Sequence, residues 1–341
     1  MPDITILIAG SNPAMRIRIA RALTGATGFL VIGQASDLPA CYTAAEAMEP
    51  HVVLVARDLS LLPEFSLMRS LFRAINARWI VVDHNGIGKA PSLAGNDGGG
   101  DADPIDTSQS AEMIRTRIVA ALQRPLVQCD PVQRQPIRSP GTMRAGKLIL
   151  IGASTGGVDA LLSVLAAMPA DCPPVAVVQH TGQGFSESLI RLLDRRCAVN
   201  VEAARDGMEL RAGHVCVAAG CPGHMRIKTT RPYRIAVEPG HPISGHMPSV
   251  DALFRSAVHS ATNVVAALLT GMGRDGAEGL LALRNAGAIT LGQDENSSVV
   301  YGMPRAAWEI GAVRQQLPLG DIASAILRAC AQNSEEGRIA L

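Results

Sequence analysis

Aromatic side chains are scarce in this chain, with five Phe, three Tyr and two Trp among 341 residues. A surface that stacks bases needs such rings, so a single-stranded nucleic-acid platform is excluded. Charge of one sign is also lacking. The 31 basic and 30 acidic residues leave a formal charge of +1, with no global field to gather a polyanion. Long apolar runs are missing too; none approaches the roughly 18 residues of a membrane-spanning helix. Neither nucleic acid nor membrane insertion is expected. The start "MPDITILIAG" carries no basic n-region of a secretory signal.

The seven cysteines (Cys41, Cys129, Cys172, Cys197, Cys216, Cys221 and Cys330) are odd in number, unevenly spaced and never in a C-x-x-C pair. That pattern argues against a disulfide framework and against a zinc ribbon. "CPGH" sets Cys221 three residues from His224, yet the further ligands of a zinc site are missing. The expectation is a reduced, soluble, cytoplasmic protein.

What is abundant is alternation of apolar runs with helical patterns. "ITILIAG", "FLVIGQA", "HVVLVA" and "RWIVVDH" read as strands. Between them, "PAMRIRIARALTG", "LPACYTAAEAMEP" and "FSLMRSLFRAIN" read as helices, the first ending on Gly25 and the second stopped by Pro50. Such alternation argues for a parallel sheet covered on both faces. From Gly86 to Ser108 the periodicity fails in a segment rich in Gly, Asp, Pro and Ser, which reads as a flexible loop. A helix resumes at "SAEMIRTRIVAALQ", and residues 125–146, with four prolines, read as a linker. The first domain is thus expected over 1–124 and the second over 147–341.

In the second domain six runs read as strands: "KLILIGAS", "PVAVVQH", "HVCVAAG", "RIAVEPG", "NVVAALLTGMG" and "AITLGQ". "GVDALLSVLAAMP" and "MPSVDALFRSAVHSA" read as helices between them, giving a second α/β domain with a mostly parallel sheet. Ligands of such sheets bind at the carboxyl ends of the strands. Three polar residues stand there: Ser154 after "LILIGA", His180 after "VAVVQ" and Asp275 after "VAALLTGMGR". A hydroxyl, a base to remove its proton and a carboxylate to orient the base are the parts of acyl transfer. Each residue has a structural reading as well. Ser154 fits a helix cap or a phosphate cradle, His180 a hydrogen-bonded strand end, and Asp275 a turn or cap for "GAEGLLALRNAG".

A dinucleotide site is the first rival. Its G-x-G-x-x-G fingerprint needs a glycine where "GASTGG" has Ser154, and Asp171 precedes the next strand instead of ending it. No Gly-Lys-Ser/Thr is present for a Walker A loop. A non-catalytic interaction module, the second rival, leaves the clustering of polar residues at strand ends unexplained.

The motifs "IGASTGG", "VVQH", "HMPSVDALF", "LLTGMGRDGAEG" and "VVYGMPRAAWEIG" resemble, in order and spacing, the protein-glutamate methylesterases of bacterial chemotaxis, the CheB family. The resemblance spans Lys147 to the C-terminus. It implies a doubly wound α/β catalytic domain that hydrolyses glutamate γ-methyl esters on chemoreceptor signalling helices and releases methanol. Many members also deamidate receptor glutamines. Carried over motif by motif, it makes Ser154, His180 and Asp275 the triad and the Met272 amide an oxyanion donor. Thr155 and the stretch His246 to Ser249 then line the cleft, and no cofactor is implied.

By the same resemblance the first domain is a receiver-like, flavodoxin-like unit whose chemistry is degenerate. Ala9-Gly10-Ser11 replaces the acidic residues expected after its first strand, Ala56 occupies the phosphate-acceptor position, and Asp83 replaces a hydroxyl after its fourth. The Lys-Pro expected after a fifth strand is missing, and that strand is lost in the Gly-rich segment. Asp58, two residues late, is the remaining acceptor candidate. No phosphorylation is expected, and a chemotaxis histidine kinase or other signalling protein is the implied partner of this unit.

Overall fold

The computed structural model describes residues 3–62, 65–83, 103–123, 145–181 and 185–331. The chain divides into two compact units, Met1–Asp130 and Pro131–Leu341. All but the last two residues of the expected linker, 125–146, and much of the expected loop lie outside the described residues.

In the first unit, β1 (Ile4–Ala9), β2 (Phe29–Ala35), β3 (Val52–Ala56), β4 (Arg78–Asp83) and β5 (Ile105–Asp106) form one sheet in the order β2-β1-β3-β4-β5. Every pairing is parallel, and the order is the flavodoxin-like one. Helices α1 (Pro13–Leu23), α2 (Leu38–Met48), α3 (Arg57–Ser60), α4 (Phe65–Ala74) and α5 (Ala111–Gln123) connect or follow the strands. Asn12 and Asp37 begin α1 and α2 by accepting the amides of Ala14 and Ala40 at 2.9 and 2.8 Å. Here the structure corrects one expectation. The fifth strand is present as Ile105–Asp106, paired with Val82 and Asp83 inside the segment expected to be a loop. It escapes pattern reading because one buried apolar residue, Ile105, is all it contributes to the core.

The second unit is built on β6 (Leu148–Ala153), β7 (Val175–Gln179), β8 (Asn200–Ala203), β9 (His214–Ala219), β12 (Val264–Leu268), β13 (Ile289–Gln293) and β14 (Gln315–Leu317). They form a wholly parallel sheet in the order β14-β13-β12-β6-β7-β9-β8. Helices α6 (Gly157–Leu165), α7 (Ser186–Arg196) and α11 (Leu319–Cys330) pack together, as do α8 (Val250–Ser256), α9 (Ala277–Asn285) and α10 (Met303–Glu309). Leu148 and Leu150 of β6 share a buried cluster with Phe254, Leu280 and Met303 from the second group. Ile149 and Ile151, equally buried, point to the opposite face, as strand alternation requires. Burial on both faces is why these strands read as unbroken apolar runs.

"RIAVEPG" is no member of this sheet. It forms β11 (Arg234–Glu238), antiparallel to β10 (His224–Lys228) in a separate hairpin. Strands β8, β10 and β14 have no counterpart in the sequence reading, being short and mixed in polarity. The central β6 lies between β7 on one side and β12 on the other. The chain thus turns one way from β6 and later returns to its other side, which opens a crevice at the carboxyl ends there.

Candidate active site

Ala153 and Gln179 are register partners at the ends of β6 and β7, so Ser154 and His180 are the next residues on neighbouring strands. The His180 amide donates to the Ala153 carbonyl at 3.0 Å, extending the pairing past the strand end. Neighbouring strands run about 4.8 Å apart, which sets the two residues side by side. Asp275 arrives from the loop after β12, and its Oδ2 meets His180 Nε2 at 2.9 Å. The other ring nitrogen, Nδ1, is buried without a hydrogen-bond partner among the described residues. With Nε2 committed to the carboxylate, Nδ1 is the atom left to take a proton.

Asp275 is fully buried. Its Oδ1 accepts the Ser249 hydroxyl at 2.8 Å and the Asp251 amide at 3.1 Å, and its Oδ2 also accepts the Val250 amide at 2.8 Å. Burial alone would raise its pKa. Hydrogen bonds from His180, the Asp251 amide and Ser249, with the charge of His180, hold it below the ordinary carboxylate value. Asp251 returns the arrangement: its Oδ1 accepts the Gly279 amide of α9 at 2.6 Å. The loop and helix that carry the two acids are therefore each tied to the other's backbone. Burial, only partly offset by that amide, pushes the Asp251 pKa up, and the neighbouring Asp275 adds to it.

Above the imidazole lies His246, its ring stacked on that of His180 at 3.8 Å between centroids and 7° between planes. Burial first, then the adjacent His180, lowers the His246 pKa below 6.5. Its ring covers one face of the base.

The Gly271-Met272-Gly273 turn closes the site on the β12 side. A Cβ on Gly271 would stand 2.7 Å from Ser154 Cβ, so only glycine permits this approach to the serine. The Gly271 carbonyl accepts the amides of Gly302 and Met303 at 3.1 and 2.8 Å, which fixes the turn. The Met272 amide, and that of Thr155 directly after the serine, have no hydrogen-bond partner among the described residues. Two unpaired donors flanking a hydroxyl can receive an oxyanion.

The sequence-derived residues Ser154, Thr155, His180, His246, Met272 and Asp275 therefore converge. Ser249 has a role beyond lining the cleft, since it carries Asp275 while its Oγ also accepts the Ala252 amide at 3.3 Å as the cap of α8. Asp251 went unnoticed in the sequence, although an acid inside the apolar run "SVDALF" is a signal of a buried, partnered group. His224 is not arranged with Cys221 for a metal. Its Nε2 bonds the His241 carbonyl at 2.9 Å and its Nδ1 accepts the Ser249 amide at 3.2 Å, while Cys221 Sγ meets the Gly223 carbonyl at 2.9 Å.

At the strand ends of the first unit, Ala56 is the last residue of β3. Arg57 holds Asp83 through both carboxylate oxygens, Nη2 reaching Oδ2 at 2.8 Å, and the Ser11 hydroxyl donates to Asp58. No group of three or more His, Cys, Asp or Glu that could hold a metal occurs among the described residues.

Known proteins similar to this chain share one description. Residues 149–326 match the family model for CheB methylesterase. A protein-glutamate methylesterase/protein-glutamine glutaminase of Agrobacterium fabrum is 36% identical over 336 residues, 95% of each chain. A protein of the same description from Gluconobacter oxydans is 49% identical over 197 residues, 57% of this chain and 56% of that one. The crystal structure of the Thermotoga maritima CheB methylesterase catalytic domain superposes with a TM-score of 0.52 at 31% identity, over 54% of this chain and 99% of that one. By a family model matched over residues 149–326 and by relatives that span nearly its full length, this chain belongs to the CheB family of protein-glutamate methylesterases.

Proposed function

We propose that the protein removes γ-methyl groups from glutamates on chemoreceptor signalling helices, with Ser154 as nucleophile, His180 as base and Asp275 as its orienting carboxylate. One observation carries the reading: His180 gives Nε2 to Asp275 at 2.9 Å and keeps a buried, unpartnered Nδ1 beside the serine's strand end. Ser154 Oγ attacks the ester carbonyl carbon while its proton passes to Nδ1. The negative oxygen that forms is received by the Met272 and Thr155 amides, each such donor contributing on the order of 3 kcal/mol. The intermediate collapses by expelling methoxide, which takes the proton from His180 and leaves as methanol. Water, deprotonated by the same nitrogen, then splits the seryl ester to give glutamate and free Ser154. A glutamine amide would follow the same route with ammonia as leaving group. Water is the only co-reactant, so no cofactor enters the scheme.

The receiver-like unit is proposed as a docking surface for a signalling protein such as a chemotaxis histidine kinase, without accepting a phosphoryl group. Ala56 offers no attachment atom, and Arg57 already neutralises Asp83. The cytoplasm is the proposed location; no described helix is long and apolar enough to cross a membrane. Methylated receptor supplies the test. Wild-type protein should release methanol and Ser154→Ala none. Release by the variant above about a tenth of wild type would overturn the assignment, since losing a nucleophile costs on the order of 10⁶ in kcat.

A further inference from the structure

Strand β7 is apolar until its last residue, Gln179, which is 2% exposed. Its side-chain Nε2 donates to two backbone carbonyls, those of Ser154 and His180, each at 2.9 Å. Two acceptors on one atom fix the orientation of the amide, because the reversed group would set oxygen against oxygen. Oε1 is then buried with no partner among the described residues. A Cβ at Gly157 would stand 2.1 Å from that oxygen and 2.8 Å from Ala153 Cβ, so the second glycine of "STGG" makes room for the amide.

Building on the ester-hydrolysis reading, we propose that Gln179 is a positioning residue for that reaction. Its amide ties together the carbonyls of nucleophile and base and holds the two strand ends in register. Between β6 and β7 the ladder ends at the His180 amide, so past that point it no longer sets the spacing of the two residues; Ser154 keeps a tie to the β12 side through its own amide on the Thr270 carbonyl at 3.0 Å. Ser154 O retains a second donor, the Gly157 amide at 2.7 Å, whereas His180 O has Gln179 as its one donor among the described residues. Loss of the clamp frees the base more than the nucleophile. The orphaned Oε1 costs folding free energy that offsets part of what the two donated bonds contribute.

The test compares Gln179→Met and Gln179→Glu with wild type on methylated receptor, with Ser154→Ala as the zero of activity. Met fills the space and removes both donors together with the orphan oxygen. Glu keeps the shape and, when protonated, donates once. The expected order of kcat is wild type, Glu, Met, with the Met variant down on the order of 10²-fold, the cost of displacing a reacting group by about 1 Å. KM should stay within about twofold, and Tm should not follow the order of kcat. If the Met variant fails to fold, the Glu variant is read on the same scale. A folded variant that keeps kcat within about twofold of wild type, or loses activity through KM alone, overturns the proposal. Residual activity in Ser154→Ala would instead sink the underlying mechanism, and so is separable from failure of the clamp.

Discussion

In the first unit the acidic groups at the strand ends are already engaged: Asp83 by Arg57, and Asp58 by the Ser11 hydroxyl. In the second, Asp275 is engaged four times over, yet its bonds serve to leave His180 Nδ1 buried and unpaired. Both units are parallel α/β sheets that present loops at the carboxyl ends of their strands. The fold offers the place, and the pairing of the groups there decides whether chemistry remains. The proposal that the first unit accepts no phosphoryl group rests in part on Asp83 and Asp58 each meeting an opposite charge or a donor. Where a base is fixed at one nitrogen and orphaned at the other, a proton acceptor is held ready.

The largest change that sharpens the contrast is His180→Ala, which removes the orphaned base. Methanol release should fall on the order of 10⁶-fold, as for the nucleophile itself. Asp275→Asn should fall less, on the order of 10⁴-fold, because the residue orients the ring and does not exchange the proton. Steady-state rates for the two variants must keep that order; equal losses would mean the carboxylate takes part in proton transfer. Ser249→Ala removes one of the four donors to Asp275 and the cap of α8. It should cost ~1 kcal/mol of stability in a urea titration and leave measurable activity. The smallest effect concerns His246. Its folded pKa lies below 6.5, so the unfolded chain takes up the proton first as pH falls. The stability contributed by the neutral ring is therefore present above pH 6.5 and lost as pH drops toward the folded value. His246→Phe keeps a stacked ring without the titration, and its urea midpoint should vary less with pH in that window. An unchanged pH dependence would show that the stack does not govern it.

Much of this contrast could be read in the sequence, for a physical reason. Strands buried on both faces are continuous apolar runs, so a polar residue directly after one is conspicuous, as Ser154 and His180 are. Ala56 is visible for the same reason, since it ends "HVVLVA" where an acid would stand out. Hydrogen bonds that cross the fold were not legible. Gln179 looks like the polar end of a strand until register sets it under two carbonyls, and Asp251 looks like part of a helix until α9 is placed against it. Short edge strands escaped as well: Gln315–Leu317 offers a single apolar side chain, and Ile105–Asp106 likewise. The hairpin strand Arg234–Glu238 was visible as a strand, but antiparallel pairing outside the main sheet depends on a partner, His224–Lys228, that local pattern did not reveal.

One measurement tests both halves of the comparison together. Methanol release from methylated receptor is followed for the full chain and for Ser154→Ala, each with and without acetyl phosphate and Mg²⁺. The expected result is one wild-type rate that the phosphoryl donor leaves unchanged, and no release by Ser154→Ala in either condition. Stimulation by acetyl phosphate that disappears in Asp58→Ala would show that the first unit keeps a working acceptor. Release that survives in Ser154→Ala would show that the second unit does its chemistry elsewhere.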